Sequence, residues 1–273
     1  MSKKTRKIIN IILIAILVVG LSFYGRSAVE KYRAKNIYND VKSMVTGNND
    51  KTAGSADNSD SASSPENEVD SDFVFTDPYV EELMSMDLSG LMEMSSAVKG
   101  WIYIPNSVID YPILQHTDNE YYLRHTWDGE YNRVGSIFFD CQNEADLSDF
   151  NTIVYGHNMN NDAMFSTLEK YLTKNYIEDH PSIYIVNENG IYKYNIFAAH
   201  RTSVSTISFG MKIQTEPMRQ EYISFALDYS EIDTDIIPTT EDSFLTLATC
   251  SYTSEYRIVI QAILDKDASY IRD

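Results

Sequence analysis

The sequence predicts a mainly β fold, and three observations carry that prediction. Eight short runs rich in Ile, Val, Tyr and Phe follow one another: "GWIYIP", "DYPILQ", "GSIFFD", "NTIVYG", "SIYIVN", "IYKYNIFAAH", "SFLTLATC" and "YRIVIQAIL". Turn-forming residues separate them, and Asn189-Gly190 between two alternating runs reads as a hairpin. Only two helical stretches interrupt the series, "DAMFSTLEKYL" and "PMRQEYISFALDYSEI". Many short strands with few helices favour a closed eight-stranded barrel over a doubly wound sheet. No internal repeat is present.

In chain order, the first element is an apolar run. Lys3, Lys4, Arg6 and Lys7 precede residues 8–24, an apolar stretch broken only by Asn10, Gly20 and Ser22. At 1.5 Å per residue such a run just crosses a hydrocarbon core of roughly 30 Å. A cleaved signal peptide is the alternative, but the run is longer than a typical signal core and no A-x-A pattern follows it. An uncleaved anchor fits better. Arg26, Lys31, Arg33 and Lys35 nearly balance the basic cluster in front, so charge alone leaves the orientation close to a tie.

Residues 27–46 suggest a juxtamembrane helix, with apolar positions at Val29, Tyr32, Ile37 and Val41. Residues 47–72, dense in Ser, Asp, Asn and Gly, hold too few apolar side chains to offset their ordering entropy and read as a disordered stalk. The stretch "DPYVEELMSMDLSGLMEMSSAVKG" carries helical Leu and Met spacing over its length. The chain thus divides into a tail (1–7), an anchor (8–24), a juxtamembrane helix and stalk (25–72) and a globular domain (73–273). An anchor and a flexible stalk together read as a tether for a domain working near a membrane.

Composition excludes one class of partner. The 273 residues carry a formal net charge of −18, and no Lys/Arg-rich patch marks the second half. Nucleic acid would be repelled by such a surface.

The chemistry-bearing candidates are two cysteines, five histidines and one arginine. Cys141 and Cys250 admit a disulfide, a buried small hydrophobe or a metal ligand; no C-x-x-C or H-x-x-x-H spacing supports the metal. In "SFLTLATC" alternation puts Phe244, Thr246, Ala248 and Cys250 on one strand face, with Cys250 at the strand end. An antiparallel neighbour starting "YRIVIQAIL" would set Arg257 beside that thiol and favour its deprotonation. The alternative for Arg257 is a surface charge at a strand start; against it, Arg257 shares a mixed face with Val259, Gln261 and Ile263. A cysteine nucleophile also needs an imidazole. Of the histidines, His157 is the candidate, because it closes the run "NTIVYG" ahead of the polar "NMNND". His180 precedes a proline and His200 ends a long strand.

These motifs, "TLATC" followed by Arg257 and "NTIVYGHNM" upstream, resemble the sortases, membrane-anchored cysteine transpeptidases of Gram-positive bacteria. The stretches "GWIYIPNSVIDYPILQHTDNEYYLRHTWDGEYNRVGSIFFD" and "YGHNMNNDAMFSTLEKYL" are similar to class B sortases in particular, over a span from about residue 95 to the end. The resemblance implies an eight-stranded sortase-type barrel with added N-terminal helices and a helix between the sixth and seventh strands. It implies Cys250 as nucleophile, His157 as its imidazole partner and Arg257 as stabiliser of the oxyanion or substrate. It maps the peptide groove onto Asn119, Leu123, Tyr155, Ala248 and Ser251. It further implies no cofactor, a cytoplasmic N-terminus, an exported catalytic domain and a bilayer-held anchor. The expected substrates are surface proteins bearing a C-terminal LPXTG- or NPQTN-like sorting signal and a peptidoglycan amine.

The chain departs from its relatives around Cys250. Tyr252 stands where some carry an acid, and Ala248 lacks the hydroxyl that many class B members have. A Cys141–Cys250 bridge would abolish the implied activity. A pilin-polymerising sortase and a non-catalytic tethered binding module are the competing readings. A papain-type protease would place its cysteine before its histidine, and here His157 comes first.

Overall fold

Eight strands close on themselves in the order β1-β2-β3-β4-β7-β8-β6-β5, a barrel without free edges. The structure is a computed structural model that describes residues 3–47, 77–159, 163–250 and 255–271. The strands are β1 (Val98–Tyr103), β2 (Asp110–Leu114), β3 (Ile137–Phe139), β4 (Asn151–His157), β5 (Ser182–Asn187), β6 (Gly190–Ser203), β7 (Phe244–Cys250) and β8 (Tyr256–Ile271). Each coincides with one of the eight β-branched and aromatic runs. β8 extends well past its run, because it pairs with the long β6 as far as Gly190↔Ile271. The β5–β6 hairpin forms, with its turn one residue earlier than the Asn-Gly signal suggests: Asn187 pairs with Gly190, so Glu188 and Asn189 make the bend. Gly190 is needed for close approach, since a Cβ there would lie 2.1 Å from the Tyr270 carbonyl oxygen.

Two pairings are parallel and therefore require long crossovers: β2 with β3, and β4 with β7. The barrel interior is filled by side chains such as Ile102, Phe139, Leu245, Leu247 and Ile260. A second, smaller core forms where the helix Glu216–Tyr229 covers Phe197 and Phe244 with Tyr222, Ile223 and Ala226. Alternation along β7 thus sends Leu245 and Leu247 to the first core and Phe244 to the second.

The helices are α1 (Lys3–Thr46), α2 (Pro78–Met84), α3 (Ser89–Met94), α4 (Lys174–Asp179) and α5 (Glu216–Tyr229). The α5 segment is the expected helix between the sixth and seventh strands. The Leu/Met-rich stretch expected to be helical throughout is instead two short helices. Asp77 caps the first by accepting the Tyr79 N–H at 2.9 Å, ahead of Pro78 in the first turn. The stretch "DAMFSTLEKYL" is a 3-10 turn over Ser166–Leu172, with α4 following it.

The expected anchor and juxtamembrane helix are one continuous helix, α1. Its apolar part is exposed, and among the described residues it is the one helix long and apolar enough to cross a membrane, at a hydropathy of 2.5. Its C-terminal part docks on the barrel through Ala34, Tyr38, Val41 and Val45. Of the apolar positions that suggested this helix, Val41 is buried, whereas Val29 and Tyr32 are solvent-exposed. The Tyr38 hydroxyl donates to the Gly135 carbonyl at 2.7 Å, and its ring meets Tyr111 edge-on at 5.3 Å. Lys42 pairs with Asp110. Gly47 apart, the expected stalk lies outside the described residues. The chain leaves the barrel surface at the end of α1 and re-enters it at α2, and the Asp87 N–H donates to the Val45 carbonyl at 3.0 Å.

Candidate active site

The end of β4 and the end of β7 lie side by side. In "NTIVYGH" and "FLTLATC" an apolar strand ends in a residue with reactive chemistry, and parallel pairing brings both ends to the same rim. The register runs Tyr155↔Ala248, Gly156↔Thr249 and His157↔Cys250. Gly156 permits this packing: a Cβ there would lie 2.5 Å from Ile137 Cδ1 and 2.7 Å from the Phe165 ring. On the other side of β7, Ala248 pairs with Val259 in antiparallel β8. Two residues further toward the connecting loop lie Cys250 and Arg257. The Ile258 N–H, donating to Thr249 Oγ1 at 3.0 Å, holds the two strands together there.

Cys250, His157 and Arg257 line one cleft of about 220 Å³. Asn119, Leu123 and Tyr155, expected in the groove, line it as well. Ala248 is different. It is fully buried between β4 and β8 and is not among the cleft-lining residues. Ser251 and Tyr252 lie outside the described residues. Both cysteines are free thiols, which overturns the disulfide alternative. Among the described residues no group of three or more His, Cys, Asp or Glu gathers as a metal site. Arg257 is half-buried at the cleft, not a plain surface charge.

Phe138, Val204 and Phe209 complete the wall, and nothing in the sequence reading singled them out. Val204 and Phe209 come from the connection between β6 and α5. Asn151, wholly buried, clamps that connection by donating through Nδ2 to the Gly210 carbonyl at 2.9 Å and the Ser208 carbonyl at 3.4 Å. Its Oδ1 accepts from Tyr222 and Thr246 hydroxyls, so the clamp is itself fixed.

The electrostatics follow from burial. Cys250 keeps partial exposure through the cleft, yet the protein packed round it pushes the thiol up to about 12. The Arg257 guanidinium and the Gly156 N–H act the other way, favouring the thiolate. Burial also holds His157 below its usual value, and the nearby Arg124 cation adds to that. Two carbonyls oppose the shift: Leu123, 2.7 Å from Nε2, and the Cys250 backbone. Two acceptors around one ring are both satisfied only by imidazolium, in which both nitrogens donate. Burial thus favours the neutral thiol and neutral imidazole, and Arg257, the Gly156 N–H and the two carbonyls favour the thiolate–imidazolium form. The pair titrates as a unit.

A sortase domain family model matches residues 102–265, a span holding the whole cleft. The chain belongs to the sortase family. Among curated proteins it is 34% identical to sortase B of Listeria monocytogenes over 181 residues, covering 65% of this chain and 74% of that one. Among solved structures it is similar to a Staphylococcus aureus sortase B–substrate complex, with TM-score 0.63 and 31% identity over 66% of this chain and 84% of that one. The sortase B of Clostridium perfringens superposes with TM-score 0.62 at 28% identity, over 66% of this chain and all of that one. The sortase match excludes α1, which lies before it.

Proposed function

We propose that this sortase is a class B-type cysteine transpeptidase that cuts a C-terminal sorting signal and passes the protein to a cell-wall amine. The observation that carries the reading is the register His157↔Cys250, with Arg257 in the same cleft. Thiolate Sγ of Cys250 attacks the carbonyl carbon of the scissile peptide bond. Arg257 and backbone N–H groups hold the oxyanion as charge develops on it, an effect of about 3 kcal/mol per well-placed donor. The imidazolium of His157 gives its proton to the leaving amine nitrogen, the C–N bond breaks, and a thioester to Cys250 remains. An incoming amine then attacks that thioester, neutral His157 takes its proton, and the Cys250 thiolate departs from the second tetrahedral adduct.

Asn119, Leu123 and Tyr155, with Phe209 and Val204, form the wall along which the peptide lies in this reading. Ala248 has no direct part, since its side chain is covered. Ser251 belongs to the peptide-binding set through its place beside Cys250 in sequence. The apolar part of α1 is the anchor, the tail before it cytoplasmic and the barrel outside. Partners are then a surface protein with an LPXTG- or NPQTN-like signal, a peptidoglycan amine and the bilayer.

Mass spectrometry of the full chain with a library of sorting peptides and candidate amines tests this. The expected result is a thioacyl adduct on Cys250 that disappears when a competent amine is added. Cleavage without any Cys250 adduct would sink the mechanism.

A further inference from the structure

Two of the cleft residues, Asn119 and Tyr155, come from separate parts of the chain and meet at one buried carboxylate. Asp140, directly after β3, is 2% exposed. Its Oδ2 accepts Asn119 Nδ2–H at 2.8 Å and the Tyr155 hydroxyl at 3.0 Å. Its Oδ1 accepts the Gln142 N–H at 2.9 Å. The backbone is pinned too: the Asp140 N–H donates to Ile153 at 2.9 Å, and Gln115 Nε2 donates to the Asp140 carbonyl at 3.0 Å. A carboxylate this far from water is tolerable only with such donors around it.

The consequence lies in the hydrogens left over. Asn119 Oδ1 accepts the Cys141 N–H at 2.8 Å, so the amide cannot flip, and Nδ2 retains one hydrogen beyond the one given to Asp140. The Tyr155 phenol has committed its single proton to Asp140, and its oxygen retains lone pairs only. Burial first, and Asp140 after it, hold that phenol protonated. The cleft wall thus carries one fixed donor and one fixed acceptor, the pattern that matches an amide group.

We infer that Asp140 is a positioning residue that sets the donor–acceptor polarity of the peptide-binding wall, so that Asn119 and Tyr155 read an amide of the sorting peptide. It acts through those two side chains and not on the reacting pair. The groups that shift Cys250 are the surrounding protein, Arg257 and Gly156; those that shift His157 are the surrounding protein, Leu123, Arg124 and the Cys250 backbone. This inference rests on the transpeptidase reading.

Asp140→Asn in the full chain tests it. An amide at that place cannot accept from Asn119, Tyr155 and Gln142 together, because one of its two ends is a donor. With a fluorogenic NPQTN-type peptide, KM should rise about tenfold or more, the scale of a mispaired buried hydrogen bond. Alkylation of Cys250 by iodoacetamide, which needs no peptide wall, should keep its rate and pH profile. An unchanged KM in a folded variant, or an alkylation profile that shifts along with turnover, would overturn the inference. If Asp140→Asn does not fold, Asn119→Ala, Tyr155→Phe and their double variant decide it. Both side chains share one oxygen of Asp140, so the double variant should lose less than the product of the single losses. Strictly multiplicative losses would overturn the coupling. A wild-type chain that cleaves no peptide overturns the transpeptidase reading and this inference with it; a cleaving wild type with indifferent variants overturns this inference alone.

Discussion

His157 and Cys250 are register partners at the ends of two parallel strands, β4 and β7. They close a continuous parallel register that begins at Asn151↔Phe244, so their separation is set by the barrel and not by loops. That arrangement fixes an imidazole beside a thiol before any substrate arrives.

Replacing Cys250 by Ala should reduce peptide cleavage to background while leaving the fold intact, because the side chain is small and at the strand end. His157→Gln should lower kcat/KM by about 10²–10⁴, the range for loss of a proton-transfer group. Melting temperatures within a few degrees of wild type, read beside the kinetics, separate these losses from misfolding.

Arg257 acts on the same thiol from β8. Removing its charge in Arg257→Ala takes away a group that favours the thiolate, so Cys250 should titrate still higher. Alkylation at neutral pH should slow, and kcat/KM should fall by about 10²–10³. Arg257→Lys should restore the alkylation rate more than it restores turnover, since a point charge lacks the guanidinium fork. Equal recovery of both would mean that charge alone matters.

The strands, and the His and Cys that meet in the cleft, were legible in the sequence because each is a local signal. β-branched runs mark the strands, and a His and a Cys that end such runs stand out. That the two strand ends are neighbours is not local: it depends on closing the barrel so that β4 meets β7, and no pattern within either strand encodes that. Which face of α1 docks is not local either: Ala34, Tyr38, Val41 and Val45 are the covered positions, and the Tyr38 hydroxyl is held by the Gly135 carbonyl and Ser136 on the barrel. Asp140, just after β3, and Asn151, the first residue of β4, were invisible as polar residues at strand ends, where turn chemistry is the default reading.

His200 gives the fold a pH dependence separate from catalysis. It is 1% exposed, its Nε2 lies 3.1 Å from Ser208 Oγ, and burial depresses it to about 4. The unfolded chain, with an ordinary imidazole near 6.5, binds a proton more readily than the folded one. This contribution to stability is therefore complete above about pH 6.5 and is lost as pH falls toward 4, to a total of about 3 kcal/mol. His200→Gln, which keeps a donor for Ser208, should flatten the melting temperature between those two pH values. An unaltered slope would assign the acid lability to other groups.

The docking of α1 changes where the protein can be cut without harm. The helix is continuous from its apolar part to Val45, so about ten residues, or about 15 Å of helix, separate the end of the apolar run from the docked face. A fragment beginning at residue 27 keeps Ala34, Tyr38, Val41 and Val45 in place; one beginning at residue 77 strips them from the barrel. At about 1–2 kcal/mol for each covered side chain the shorter fragment should lose about 4 kcal/mol or more, a fall of about 10 °C in Tm. Tyr38→Phe in the longer fragment should cost about 1 kcal/mol, because the Gly135 carbonyl loses the Tyr38 donor and the Ser136 hydroxyl keeps only the His125 carbonyl. Both follow from thermal melts of the purified fragments, with hydrogen exchange at Gly135 and Ser136 as the local readout. Identical melting curves for the two fragments would mean that α1 rests on the barrel without stabilising it.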